Sequence, residues 1–318
     1  MNHSSPKTGP VFAIAQSVLA PRREYQSFLN GGSRGEFAAF LDSIAPKLIA
    51  AGLPPDDVQF AKRYPQSQAA FVEDALRRLT SIGVLPRADY DDAGYDEIAA
   101  QIRNDYHHGP FRTYIYPEEA RLLFAIADIL RPRSAIFLGS YYGYWARAAL
   151  PVIARHGGRA VLVDPDPKAQ DIARLNLKSA GLLGGVELAV TTGQDYLQQT
   201  SDRYDLVVLD AETPRDFPDP QQRGKAVYGP LLHHALSRMT PDAALVCHNY
   251  LFEDVAGCRF FDRIIERNRN ELDAFLDIAA REFAGLVECT STEGVGVGKR
   301  RRTNGRAQPA ANGRSYDS

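Results

Sequence analysis

Residues 133–148, RSAIFLGSYYGYWARA, constrain the fold of this chain more than any other stretch, because an apolar run ends in Gly139 and Gly143 and a helix-like pattern follows. That order reads as a strand running into a loop and then a helix. In a parallel α/β sheet, ligands lie beyond the carboxyl ends of the strands, and glycine lets the backbone approach them closely. The spacing Gly139-Ser-Tyr-Tyr-Gly143 is not the G-x-G-x-x-G of a dinucleotide site, and no G-x-x-x-x-G-K-[ST] phosphate cradle occurs anywhere. The loop therefore suits a ligand with fewer phosphates, or none. The alternative is a glycine-relieved turn that holds no ligand.

The 318 residues, 44% of them hydrophobic, suffice for one large domain or a domain with an appendage. A net charge of −2 argues against nucleic acid and anionic membranes as partners. The one dense basic run, Lys299-Arg-Arg-Arg302, abuts a polar tail and reads as a solvated strand end. Cys247, Cys258 and Cys289 are odd in number and lack C-x-x-C spacing, so neither a disulfide framework nor a zinc site is indicated and a reducing cytoplasm is expected. The amino-terminal apolar stretch is too short and too interrupted for a membrane span, and its basic character is weak, so neither export nor an anchor is expected.

The chain divides near residue 110. Before it, Glu36–Ala51 and Gln66–Ile82 place apolar residues three and four apart, as amphipathic helices do, with Pro46 a candidate break in the first. From Pro117 onward the pattern alternates: helix Glu118–Leu130, strand Ser134–Leu138, helix Tyr144–Ala154, strand Ala160–Val163, helix Lys168–Ser179, strands Val186–Val190 and Asp205–Leu209, helix Val227–Met239 and strand Ala243–Cys247. Repeating β-α units imply a Rossmann-like, doubly wound, mostly parallel sheet. Leu286–Cys289 and Thr292–Gly298 read as two closing strands joined by a short turn, which brings the sheet to seven strands. The expected organisation is a helical region over 1–110, a ligand-binding domain over 111–302 and a disordered polar tail over 303–318.

Acidic residues stand at the ends of successive strands. Asp164 ends the second, where a carboxylate can accept hydrogen bonds from both hydroxyls of a ribose. After the third, Asp195 with Gln194 beside it is placed to meet an adenine amino group, and Asp210 closes the apolar run Leu206–Leu209. A single strand-end aspartate is often a cap or turn former. Three in register with a glycine loop point to a nucleoside-containing ligand.

Together these residues resemble the class I S-adenosylmethionine-dependent methyltransferases, and among them the catechol and caffeoyl-coenzyme A type of small-molecule O-methyltransferase. The resemblance runs from about Tyr114 to Arg300. It rests on Tyr116-Pro-Glu-Glu-Ala-Arg-Leu-Leu, Phe137-Leu-Gly-Ser-Tyr-Tyr-Gly-Tyr-Trp, Val163-Asp-Pro-Asp, Gly193-Gln-Asp, Leu209-Asp-Ala and Gly294-Val-Gly-Val-Gly. It implies an antiparallel last strand, and S-adenosylmethionine bound by Gly139, Ser140, Gly143, Tyr144, Asp164, Gln194, Asp195 and Asp210. The absence of a pyrophosphate in that cofactor agrees with the missing third glycine.

Methyl transfer from a sulfonium is an in-line displacement, so the protein must align the acceptor and, for a hydroxyl, take its proton. In the resembled subgroup a divalent ion is bound by an aspartate after the fourth strand and an Asp-Asn pair after the fifth. Here Asp210 and Asn249 match, while His248 replaces the second aspartate. Imidazole suits softer metals than magnesium, so two readings stand: a divalent metal on Asp210, His248 and Asn249, or His248 as general base of a metal-free enzyme. The subgroup's lysine shortly after the first metal aspartate is also missing, since Asp210 is followed by Ala-Glu-Thr-Pro-Arg215, and Glu212 or Arg215 is expected in its space. His107-His108 before Gly109-Pro110 read as a surface loop or a pocket lining, His233-His234 as structural, and Leu251–Phe283 as a lid or a subunit contact.

The expected function is O-methylation of a small aromatic or natural-product acceptor by a cytoplasmic enzyme of secondary metabolism, with the helical region covering the acceptor site or making a homodimer contact. The alternatives are methylation of carbon or nitrogen, a non-methylating reaction such as a cyclisation, and a non-catalytic cofactor-binding protein.

Overall fold

A computed structural model describes residues 11–109 and 115–301. The tail over 303–318 lies outside the described residues, as do Arg302 and residues 110–114, where the expected domain boundary falls. Seven strands form one sheet: β1 (Ser134–Leu138), β2 (Arg159–Val163), β3 (Val186–Ala189), β4 (Tyr204–Leu209), β5 (Met239–His248), β6 (Phe283–Cys289) and β7 (Val295–Arg300), in the order β3-β2-β1-β4-β5-β7-β6. The pairings from β3 through β5 are parallel, and β7 runs antiparallel to both its neighbours. Such a sheet is covered on both faces, which is why β1 reads Ser-Ala-Ile-Phe-Leu and is buried at every position.

Alternate residues of the central strands feed two cores. Ala135, Phe137, Leu206, Val208, Ala244 and Val246 face a layer that includes α5 (Gln68–Ser81), α7 (Pro117–Leu130) and α8 (Tyr144–Arg155). Ile136, Leu138, Val207, Leu209, Leu245 and Cys247 face α10 (Gly193–Gln199), α11 (Tyr228–Leu236) and α13 (Asp273–Glu282). The period of two along each strand assigns these partners.

Before the sheet, α1 (Val11–Leu19), α2 (Arg23–Leu29), α3 (Arg34–Ala50) and α4 (Pro55–Phe60) enclose a core of their own, to which Tyr116 is added. Helix α3 passes through Pro46 without a break, with Ile44 and Leu48 buried on either side, so packing outweighs the lost backbone bond. Helix α6 (Asp92–Asp105) lies against α8, and α9 (Pro167–Ser179) follows β2.

The observed elements depart from the periodicity at several places. The helix expected over Val227–Met239 stops at Leu236, because Met239 already pairs with Tyr204 and opens β5. Pro241 has no N–H for the ladder, and the register shifts between Tyr204 and Leu206. A short helix, α10, stands between β3 and β4, started by the Thr192 hydroxyl accepting from the Asp195 N–H. The long segment after β5 folds as α12 (Arg259–Glu271) and α13.

Candidate active site

A cleft of about 810 Å³ opens at the carboxyl ends of the parallel strands, with Gly139, Asp164, Asp210 and His248 on its wall. This is where a doubly wound sheet binds ligands. Gly139 leaves β1 with φ +80°, and a Cβ there would lie 2.3 Å from the Ala211 backbone, so only glycine lets the β1 and β4 loops pass each other. Tyr141 also has positive φ, 44°, and its N–H donates to Asp164 Oδ2 at 2.9 Å. Asp164 Oδ1 accepts from the Asp166 N–H at 3.0 Å, and burial raises the carboxyl's pKa. The Ser140 hydroxyl accepts from Gln170 Nε2 at 3.1 Å, and Gly143 (φ +76°) starts α8, so Tyr144 is its first residue.

The opposite end of the cleft is charged. Asp210 Oδ1 lies 3.2 Å from Lys225 Nζ and 3.1 Å from His248 Nδ1. The second ring nitrogen of His248 is 3.0 Å from Glu119 Oε2 and 3.4 Å from Glu293 Oε2. A histidine with carboxylates at both nitrogens is an imidazolium donating twice. Burial acts to lower its pKa, but the charges of Asp210 and Glu119 outweigh burial and raise it well above the ordinary value. Burial likewise acts to raise Asp210, and His248 with Lys225 holds it below the usual carboxylate range. Glu293 is pushed up to about 7, by burial first and by Glu119 and Asp210 against the pull of His248.

Glu119 is fully committed. Its Oε1 accepts from the Ser291 hydroxyl (2.7 Å) and the Glu293 N–H (2.8 Å), and its Oε2 from the Tyr116 N–H (3.2 Å) and His248. The neighbouring Glu118, pushed up to about 8 by burial and by the charge of Glu119, accepts from the Thr292 N–H at 3.1 Å. Buried Arg63 closes the same turn from the helical region, donating to the carbonyls of Ser291 (3.0 Å), Thr292 (3.0 Å) and Glu253 (2.7 Å).

The structure thus brings Gly139, Ser140, Gly143's neighbour Tyr144, Asp164, Gln194, Asp210, His248 and Asn249 to one cleft. It does not bring Asp195 there: that side chain is exposed and takes the Thr192 hydroxyl at 2.7 Å, because it belongs to the first turn of α10. Gln194 instead donates to Gln222 at 3.0 Å. His248 is not arranged as a base, since neither ring nitrogen keeps a free lone pair. The His108 ring packs on Tyr106 (4.9 Å) and Tyr144 (6.0 Å), and no described residue before Ile115 lines the cleft.

The Asp210, His248 and Asn249 set implied by the resemblance does not fit a magnesium ion. Asp210 already carries two cationic donors, a histidine stands where a carboxylate oxygen is needed, and Asn249 Nδ2 is turned to donate to Glu293 at 3.0 Å. The ligating atoms of Glu119, His248 and Glu293 do lie within 4.8 Å of one another. Yet the four lone-pair positions of Glu119 are all taken, and a metal there would displace bonds already made.

Lys225, Glu119 and Glu293 are the site residues that sequence reasoning missed. Glu119 and Glu293 stood within quoted segments, but as unassigned neighbours. Lys225 comes fifteen positions after Asp210, and neither Glu212 nor Arg215 takes its place on that carboxylate. A two-residue bridge, Thr213 with Gly224, folds the intervening loop back, and Gly224 turns at φ +56° beside the Glu271 carboxylate, which accepts the Lys225 N–H at 2.9 Å.

Residues 116–250 match the model of a family described as a methyltransferase domain. A catechol O-methyltransferase of Niastella koreensis is 27% identical over 182 residues, covering 54% of this chain and 80% of that protein. Among solved structures, an SAH-bound methyltransferase of Podospora anserina superposes with a TM-score of 0.48 at 14% identity, over 67% of this chain and 97% of that one. The O-methyltransferase TomG of Streptomyces achromogenes gives 0.44 at 17%, over 72% and 96%.

Proposed function

We propose that this chain, whose residues 116–250 match the model of a methyltransferase domain, transfers the methyl group of S-adenosylmethionine to a hydroxyl oxygen of a small aromatic or natural-product acceptor. The observation that carries this reading is one continuous cleft with a hydrogen-bonded strand-end carboxylate, Asp164, at one end and the Asp210, Lys225, His248 and Glu293 cluster at the other.

Asp164 accepts the two ribose hydroxyls, Gly139 lets the β1 loop lie against the methionine part, and Gln194 sits on the adenine side. An oxygen lone pair of the acceptor then forms a bond to the methyl carbon as the carbon–sulfur bond breaks, and that bond's electron pair leaves sulfur as a neutral thioether. The hydroxyl proton passes to Glu293, whose carboxylate lines the cleft, while His248 holds Asp210 and Glu119 in place. Alignment of acceptor and sulfonium supplies much of the acceleration.

In this reading the enzyme works in a reducing cytoplasm, which its three free thiols support. Among the described residues no helix is long and apolar enough to cross a membrane. A homodimer and a place in secondary metabolism belong to the same reading, and analytical ultracentrifugation tests the first.

The test is calorimetry with S-adenosylmethionine, followed by transfer of a labelled methyl group to a panel holding catechol, caffeic acid and their amine counterparts. Binding with label in a phenolic product supports the reading. Failure to bind the cofactor removes it, and label found only in amines moves the acceptor atom to nitrogen.

A further inference from the structure

We propose that Lys225 stands in place of a divalent metal ion: its ammonium, seated on Asp210, holds the acceptor oxygen as the methyl group arrives, and the chain works without a metal. The inference rests on the reading of the cleft as a methyl-transfer site and adds a catalytic residue to it.

Three observations carry it. The first is occupancy. Lys225 is 4% exposed, and its Nζ lies 3.2 Å from Asp210 Oδ1 and 3.4 Å from the Tyr228 hydroxyl. An ammonium has three N–H donors, so one is left over, and Lys225 is part of the cleft wall where an acceptor oxygen would meet it. The second is how firmly the lysine is placed. The Thr213–Gly224 bridge, the bond from the Lys225 N–H to Glu271 and the Tyr228 hydroxyl, which is anchored on the carbonyls of Leu209 (3.0 Å) and His248 (3.2 Å), hold it against the end of β4.

The third is charge. The carboxylates of Asp210, Glu119 and Glu293 face the cations of Lys225 and His248, while Glu212, 4.0 Å from Lys225 Nζ, is more than half exposed, screened by solvent and left out of the balance. One negative charge remains, and the sulfonium of the cofactor cancels it. A divalent ion would leave the cluster positive, with its ligands drawn from groups already bonded to one another. Lys225 instead supplies one fixed positive charge beside the oxygen on which negative charge develops.

Two probes test this, Mn²⁺ and 4-nitrocatechol. Wild-type protein dialysed against chelator is expected to bind no Mn²⁺ by electron paramagnetic resonance. Lys225→Ala is expected to gain one Mn²⁺, and Asp210→Asn with Lys225→Ala to lose it again. 4-Nitrocatechol is expected to bind wild-type protein as its coloured phenolate, and that band is expected to vanish in Lys225→Met, which keeps the buried stem. For any phenol the enzyme methylates, kcat in Lys225→Met is expected to fall about 100-fold with affinity for S-adenosylhomocysteine, whose sulfur is uncharged, unchanged.

Stoichiometric Mn²⁺ on wild-type protein overturns the proposal, whether on Glu119, His248 and Glu293 or elsewhere in the cleft. So does Lys225→Ala that binds none, or a phenolate band that is absent from wild type or survives in Lys225→Met. The wild-type Mn²⁺ measurement needs no variant to fold. A protein that follows this metal pattern yet binds no S-adenosylmethionine refutes the function and not the occupancy.

Discussion

Replacing Asp164 by alanine separates a ribose-binding site from a mere turn. The side chain is 7% exposed and spends one lone pair of each oxygen on the backbone, Oδ2 on Tyr141 at 2.9 Å and Oδ1 on Asp166 at 3.0 Å. A carboxylate offers about four such positions, so two remain for the two ribose hydroxyls. Hydrogen bonds to a charged group contribute about 1.5–3 kcal/mol each and do not add fully, which gives a loss of about 2–4 kcal/mol. That corresponds to a Kd for S-adenosylhomocysteine raised roughly 30- to 1000-fold. Alanine also removes the acceptor that holds Tyr141 at its positive φ, so the loop itself loosens. Asp164→Asn is not a clean rescue, because its amide nitrogen must face the N–H of either Tyr141 or Asp166. Calorimetric titration of both variants, with thermal unfolding as a control, reads the outcome. Affinity within about twofold of wild type in a folded Asp164→Ala would refute the reasoning, since no pair of charge-assisted bonds costs so little.

Three other perturbations follow from the same geometry. Gly139→Ala forces a Cβ to within 2.3 Å of the Ala211 backbone at φ +80°, and a destabilisation of about 3 kcal/mol or more is expected in denaturant unfolding. Asp195→Ala removes only the exposed Thr192 contact, so stability is expected to fall by about 1 kcal/mol or less with cofactor affinity unchanged, and a large affinity loss would return Asp195 to the adenine site. Glu118, pushed up to about 8 by burial and by Glu119, keeps its proton in the folded state where the unfolded chain has released it. Unfolding therefore releases that proton, and this contribution is fully present below about pH 4.3 and lost as pH rises through about 8. Thermal unfolding across that range is expected to show a decline in wild type that Glu118→Gln lacks, and parallel curves would show that Glu118 is already ionised.

The glycine loop and the strand-end carboxylates that line the cleft are legible in the sequence because their signals are local. A strand of alternating core residues dictates where its carboxyl end falls, the next glycine opens the loop, and the acid after β2 or β4 must emerge at the same edge of the sheet. Gly139, Asp164 and Asp210 needed no tertiary information. Asp195 stands at an equally plausible position, but a short helix turns it away from the cleft, and propensity over seven residues does not announce such a helix. Pro46 was a local rule that packing overrode.

Beyond Asp210 the charged end of the cleft obeys no local rule, since its other charges come from four separate places in the chain. Glu119 belongs to the first turn of α7, Lys225 to the end of a folded-back loop, His248 to the end of β5 and Glu293 to the turn before β7. Glu119, Lys225 and Glu293 are each an ordinary surface type, and nothing in their neighbours' spacing marks them. What joins them is electrostatic complementarity: the half-buried Asp210 has the His248 cation beside it, and Glu119 satisfies the second ring nitrogen. The substitution at residue 248 was therefore the legible trace of the whole cluster. It marks the departure from the ligand set that the resemblance implies, and beside Asp210 stands a lysine that no spacing rule would have placed there.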